Sequence, residues 1–142
     1  MSRPTWDTHW MHIAQLTAAR STCPRASVGC VLTIDNRIVS TGYNGAIAGA
    51  AHCSDVGCDV RGGHCIRTVH AEANAVADAA RRGVAIAGAT AYVTHAPCRT
   101  CAMLLVSAGV VRVVYDAMYD DGANLGFLSS YVDAEQYQEV TE

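Results

Sequence analysis

The chain has 142 residues, of which 51% are hydrophobic and 16% charged, a composition suited to one globular domain that buries about two-thirds of its unfolded surface. Its net charge is −3 and it carries no basic run, so nothing in it attracts a long polyanion such as nucleic acid. All 10 basic residues are arginine; without lysine there is no lysine Schiff base, no P-loop lysine and no kinase-type phosphate lysine.

Trp6, Trp10, Ile13 and Thr17 recur at steps of three or four, with Met11, Ala14 and Ala18 beside them, which predicts an amphipathic helix from about Trp6 to Arg20. His9 and His12 fall on this helix with no cysteine or carboxylate at helical spacing, so they read as solvated or packing side chains. Val28 to Ile34 and Ile38 to Thr41 are β-branched runs around the polar turn Asp35-Asn36-Arg37, the pattern of a β-hairpin. Ala46 to Arg67 is rich in glycine, cysteine and small residues and lacks a period. It reads as a loop far longer than ordinary connections, one that needs a function or a fastener. Ala71 to Arg82 is alanine-rich and stops at Gly83, a helix ended by a residue suited to the left-handed C′ position. Thr90 to Thr94 reads as a short strand, a helix runs from Pro97-Cys98 to Gly109, and Val110 to Tyr115 is the apolar run of a buried parallel strand. The order hairpin, helix, strand, helix, strand predicts an α/β sandwich with a mixed sheet. Beyond Tyr115 the pattern weakens, and residues 116–142 read as a packing or lid segment.

The first residues show no basic segment followed by an apolar core, and no window reaches the about 18 apolar residues of a membrane span. A cytoplasmic protein is expected. In a reducing compartment, seven cysteines point to metal ligation or catalysis before disulfides.

His70-Ala-Glu72 stands where the long loop meets the alanine-rich helix, and Pro97-Cys98-Arg-Thr-Cys101 where a strand meets the next helix. Cys98 and Cys101 share one helical turn, so both sulfurs face one side, and the positive helix end favours their thiolates. A catalytic zinc takes three protein ligands and keeps one open position, and His70 completes the set. Glu72, at the first turn, is then placed to take a proton from a zinc-activated water and pass it to a leaving group. This is hydrolytic chemistry at an amidine-like carbon. The competing reading is a closed zinc knuckle, which brings a fourth ligand close by and has no use for Glu72. His-x-Glu followed by Pro-Cys-x-x-Cys is the signature of the zinc nucleobase deaminases.

The segments Arg20 to Arg25, Ser27-Val-Gly29, Gly42-Tyr-Asn-Gly45, His52-Cys53, Gly57-Cys58, Gly63 to Ala75 and Tyr92 to Cys98 together resemble deoxycytidylate deaminases, most closely the bacterial late-competence operon branch. The likeness runs from about Trp6 to Tyr115 and fades beyond it. It implies a single zinc-dependent deaminase domain with the cytidine-deaminase three-layer α/β/α sandwich and a mixed five-stranded sheet. It also implies conversion of dCMP to dUMP and ammonia by attack of zinc-bound hydroxide on C4 of cytosine. By motif, His70, Cys98 and Cys101 would hold the catalytic Zn2+ and Glu72 would shuttle protons. Asn44 would hydrogen-bond the sugar; its plainer reading is a turn residue. Homo-oligomers, as dimers or hexamers, and dCTP and dTTP effectors are further implications.

Cys30 sits inside an apolar strand, where a small buried residue is expected. Cys23, Cys53, Cys58 and Cys65 remain, three of them in the long loop, so a second, structural zinc would supply the fastener, with His64 or His52 able to replace one cysteine. Free thiols are the alternative. A monophosphate needs arginine or backbone donors here; Arg25 stands first, ahead of Arg67, Arg99 and Arg112. Tyr115 is a candidate for packing against base or sugar, and equally for the core. Two other functions stay open: deamination of cytidine, cytosine, guanine or tRNA adenosine, and a catalytically silent zinc-stabilised binding module.

Overall fold

The computed structural model describes residues 2–118 and 122–140. Helix α1 (Trp6–Ala18) begins at Thr5, whose hydroxyl accepts from the Thr8 amide at 3.2 Å, satisfying one of the donors that a helix start leaves free. Strands β1 (Gly29–Ile34) and β2 (Arg37–Tyr43) follow as the expected hairpin. Its turn is the two residues Asp35 and Asn36, both at positive φ (52° and 53°), a combination that matches strand twist and suits Asp and Asn. Arg37 therefore belongs to the strand and not to the turn.

The segment from Ala46 to Arg67 is not a bare loop. Strand β3 (Gly45–Ala46) leads into a single helical turn, α2 (Cys53–Val56), then a tiny hairpin of β4 (Val60–Arg61) and β5 (His64–Cys65). Strand β6 (Thr68–Val69) returns to pair with β3. These pieces are two to four residues long, too short to show a period. Helix α3 (Ala71–Arg82) ends at Gly83 with φ 69°, as its sequence requires. Strand β7 (Thr90–His95), helix α4 (Arg99–Ser107) and strand β8 (Arg112–Ala117) complete the alternation.

After β8 come helix α5 (Ala123–Ser129) and strand β9 (Asp133–Gln136). The main sheet has the order β2-β1-β7-β8-β9, antiparallel from β2 to β7 and parallel from β7 to β9. It is the mixed five-stranded sheet of an α/β/α sandwich. On one face α1 sets Trp10, Met11 and Ala14 against Val31, Tyr92 and Val114. On the other, α3 and α4 set Ala75, Ala79, Ala102 and Leu105 against Leu32, Val93 and Val113, with Cys30 fully buried among them. Small residues let the layers close tightly. A Cβ on Gly42 would run into the backbone of Ala71 and Ala75, and one on Gly29 into that of Ala14.

Residues 122–140 are a packing segment. Leu128 joins the core, and Arg112 grips Asp7 (2.7 and 2.8 Å) and, through β9, Glu135 (3.2 Å). The Val140 carbonyl accepts from the Thr8 hydroxyl at 2.9 Å, and Glu139 meets His12 at 3.0 Å. Residues 119–121 and 141–142 of the segment expected over 116–142 lie outside the described residues. No helix among the described residues is long and apolar enough to cross a membrane.

Candidate active site

His70 and Cys98 are the N-cap residues of α3 and α4, both with extended backbone (ψ 153° and 170°). Strand β6, paired with β3, leads into the first of these positions and strand β7 of the main sheet into the second. Cys98 Sγ and Cys101 Sγ each lie 3.5 Å from His70 Nδ1, and the three donor atoms fall within 4.8 Å of one another. A tetrahedral zinc with ordinary Zn–S and Zn–N bonds places its sulfur and nitrogen ligands about 3.6 Å apart. The two sulfur-to-nitrogen distances match that spacing, with Nδ1 as the ligating nitrogen.

The electrostatics agree. A hydrogen bond from the Cys101 thiol, with another from His70, holds Cys98 down to about 4, while Cys101, carrying the shared proton, is pushed up. The Cys98 sulfur in turn raises His70. Glu72 is 3% exposed, and burial lifts its carboxyl above the usual range although the Cys101 thiol and His70 oppose the shift. A carboxyl raised in this way beside a metal site is suited to receiving and returning a proton.

A cavity of about 310 Å³ opens over this corner, a size typical of small-molecule sites. His70, Glu72 and Cys98 line it, with Asn44 and Arg25. Asn44 is braced by its loop: Oδ1 accepts from the Val28 amide and Nδ2 donates to the Ala26 carbonyl, both at 2.8 Å. One amide hydrogen and one lone pair are left for a ligand. Arg25 donates to the Gly63 carbonyl at 3.3 Å. Of the four arginines singled out, it is the one that lines the cavity. Arg67 donates to the Gly57 carbonyl, Arg99 stacks 3.5 Å over the Phe127 ring, and Arg112 is spent on Asp7 and Glu135. Tyr115 lies buried in β8 and is not among the lining residues.

The second group of cysteines also converges. Cys23, Cys53 and Cys58 hold their sulfurs within 4.8 Å of one another, and Cys65 Sγ lies 3.6 Å from Cys53 Sγ, close to the roughly 3.8 Å between two thiolates on one zinc. Burial, with the neighbouring Cys65 and Cys58 thiols, pushes Cys53 up to about 12. Burial acts upward on Cys65 as well, but backbone amides of Arg67, Asp59 and Thr68 outweigh it and bring that thiol to about 6. His52 is turned to Thr22 (3.1 Å) and His64 lines the cavity.

Two supports were not legible in the sequence. Asn74 Nδ2 donates to the Tyr43 carbonyl at 2.8 Å, and Ser40 Oγ to the Ala75 carbonyl at 2.6 Å; together they pin the start of α3 to β2. His95 also lines the cavity. Its position in the Thr-His-Ala-Pro-Cys segment, three residues ahead of Cys98, was the available signal.

An α/β/α sandwich with a Cys-Cys-His ligand set at two helix starts and a buried glutamate beside it defines the zinc-site deaminase fold. The family described as the cytidine and deoxycytidylate deaminase zinc-binding region matches residues 4–117, and the chain belongs to that family. It is 45% identical over 119 residues to ComE operon protein 2 of Bacillus subtilis, covering 84% of this chain and 63% of that one. It thus spans less than two-thirds of that relative's length. Deoxycytidylate deaminase of Mycobacterium phage D29 is 43% identical over 127 residues, covering 81% of this chain and 97% of the phage protein. Among solved structures, dCMP deaminase from the cyanophage S-TIM5, in complex with dCMP and dUMP, superposes with a TM-score of 0.82 at 29% identity, covering 91% of this chain and 94% of that one.

Proposed function

We propose that this chain is a zinc-dependent deoxycytidylate deaminase that hydrolyses dCMP to dUMP and ammonia. The observation that carries the reading is the buried Glu72 carboxyl set beside the His70, Cys98 and Cys101 donor atoms at the floor of a cavity that also holds an arginine. His70, Cys98 and Cys101 would hold the catalytic metal. Bound zinc supplies a nucleophilic water at near-neutral pH. Glu72 would accept the proton released as the water oxygen bonds to C4 and deliver it to N3 of the ring; it would then move the remaining proton of that oxygen to the amino group, so that the C4–N bond breaks, ammonia leaves and a C4 carbonyl remains. Asn44 meets the sugar with its spare hydrogen and lone pair, and Arg25 meets the 5′-phosphate.

A second, structural zinc on Cys23, Cys53, Cys58 and Cys65 belongs to the same proposal, supported by the converging sulfurs. So do a cytoplasmic location, expected from the sequence, and assembly as a dimer or hexamer and control by dCTP and dTTP, which rest on the resemblance; Tyr115, buried in β8 and away from the cavity lining, packs the core instead of the base or sugar. The test is ammonia release from dCMP, CMP, dCTP, deoxycytidine and cytosine, with Glu72→Ala as control. Preference for dCMP and a loss of about 10²–10⁴-fold in the variant are expected. Equal turnover of deoxycytidine and dCMP overturns the substrate, and an unimpaired variant overturns the mechanism.

A further inference from the structure

His95 is a polar ring in the cavity that the proposed chemistry does not use. It closes β7, is half-buried, and stands apart from the metal-ligating group. Its neighbour Thr94 bears on where its proton sits. The Thr94 hydroxyl oxygen is 7% exposed as a residue, accepts from the Gly29 amide at 3.1 Å and lies 3.1 Å from His95 Nδ1. The hydroxyl oxygen has two lone pairs, one of them taken by the Gly29 N–H; its own proton meets no acceptor other than Nδ1 among the described residues, so the bond is assigned as Thr94 O–H to Nδ1. A neutral imidazole that accepts at Nδ1 carries its hydrogen on Nε2. Nε2 has no hydrogen-bond partner among the described residues, while the ring lines the cavity. Asn44 keeps one amide hydrogen beyond its bonds to Ala26 and Val28, and a His95 Nε2–H would add a further donor to the same cavity.

We propose that His95 is a substrate-contacting residue whose Nε2–H, held in that tautomer by the Thr94 hydroxyl, donates to an acceptor oxygen of the bound nucleotide. Thr94 is then a positioning residue, one step removed from the substrate. The acceptor is an oxygen on either the pyrimidine C2 carbonyl or the phosphate. This rests on the deoxycytidylate reading above.

The experiment is steady-state kinetics of the zinc-loaded wild type, His95→Phe, His95→Gln, Thr94→Val and Thr94→Ser on dCMP and on deoxycytidine, with 15N NMR of the histidine rings. Removing the donor in His95→Phe is expected to lower kcat/KM for dCMP about tenfold or more, and His95→Gln, which carries an N–H near the same reach, to restore most of it. Thr94→Val should fall between, Thr94→Ser should match wild type, and the His95 signal should report the Nε2–H tautomer in wild type and lose it in Thr94→Val. A defect shared by dCMP and deoxycytidine assigns the acceptor to the base; one confined to dCMP assigns it to the phosphate. Wild-type kcat/KM in His95→Phe, or an Nδ1–H tautomer in the wild type, overturns the assignment. A wild type silent on dCMP but active on another base takes down the substrate reading and this assignment together, whereas an active wild type with an unimpaired His95→Phe takes down this assignment alone.

Discussion

The two cysteine clusters offer similar metal-ligand donors on opposite structural terms. His70, Cys98 and Cys101 sit at the starts of α3 and α4, which are packed on the sheet through Ala75, Ala102 and Leu105, all with no solvent exposure. The fold places them, and a metal would find its ligands already about the right distance apart. Cys53 and Cys65 sit on pieces of four and two residues and Cys58 on the connection between α2 and β4, while Val56, Val60 and Ile66 in the same segment are left exposed. Such a segment buries too little apolar surface to offset the entropy of ordering it. Here the ligands would place the fold.

The comparison can be broken at the second cluster. Cys53→Ser should remove about one zinc per chain, open the 46–67 segment to protease and cost on the order of 3 kcal/mol in the thermal or denaturant midpoint. Because Gly63, His64 and Cys65 line the cavity, the KM for dCMP should rise while kcat falls less. If metal content and stability both stay at wild-type values, the segment holds itself and the contrast fails.

It can be sharpened from the other side. Gly42→Ala places a Cβ against the backbone of Ala71 and Ala75, forcing away the helix that begins with His70 and Glu72. An overpacking cost of about 1–3 kcal/mol is expected, with kcat reduced and zinc on the second cluster retained. Unchanged kcat would mean that β2 does not set the position of α3.

The smallest effect belongs far from both clusters. Hydrogen bonds from Arg112 hold the Asp7 carboxyl below the usual carboxylate range, against the opposing effect of burial. Its contribution to stability is therefore present above the unfolded value near 3.9 and is lost as pH falls through the lower folded value. Asp7→Asn should cost less than about 1 kcal/mol at pH 7, since the pair is partly exposed and Arg112 keeps Glu135. The difference from wild type should close below about pH 4, with kcat unchanged throughout. A gap that persists at low pH would assign the effect to packing.

By itself the sequence singled out the residues whose donor atoms meet in the two clusters, and it determined the bounds of α3, the β1–β2 hairpin and the helix α1. Each of these is written locally, as a ligand spacing on one helical turn, an alanine run closed by glycine, or an apolar repeat. Strand β9 was not legible, because Asp133, Glu135 and Gln136 are exposed and an edge strand held by backbone pairing and Arg112 leaves no hydrophobic alternation to read. Nor could spacing decide that Arg25, and not Arg67, Arg99 or Arg112, faces the cavity, or that Tyr115 does not line it. Only the tertiary structure decided these, because each depends on segments far apart in the chain: Arg25 against Gly63, Asp7 against Arg112, Phe127 beneath Arg99. The donor types follow from composition along the chain; what each donor faces follows from how the layers close.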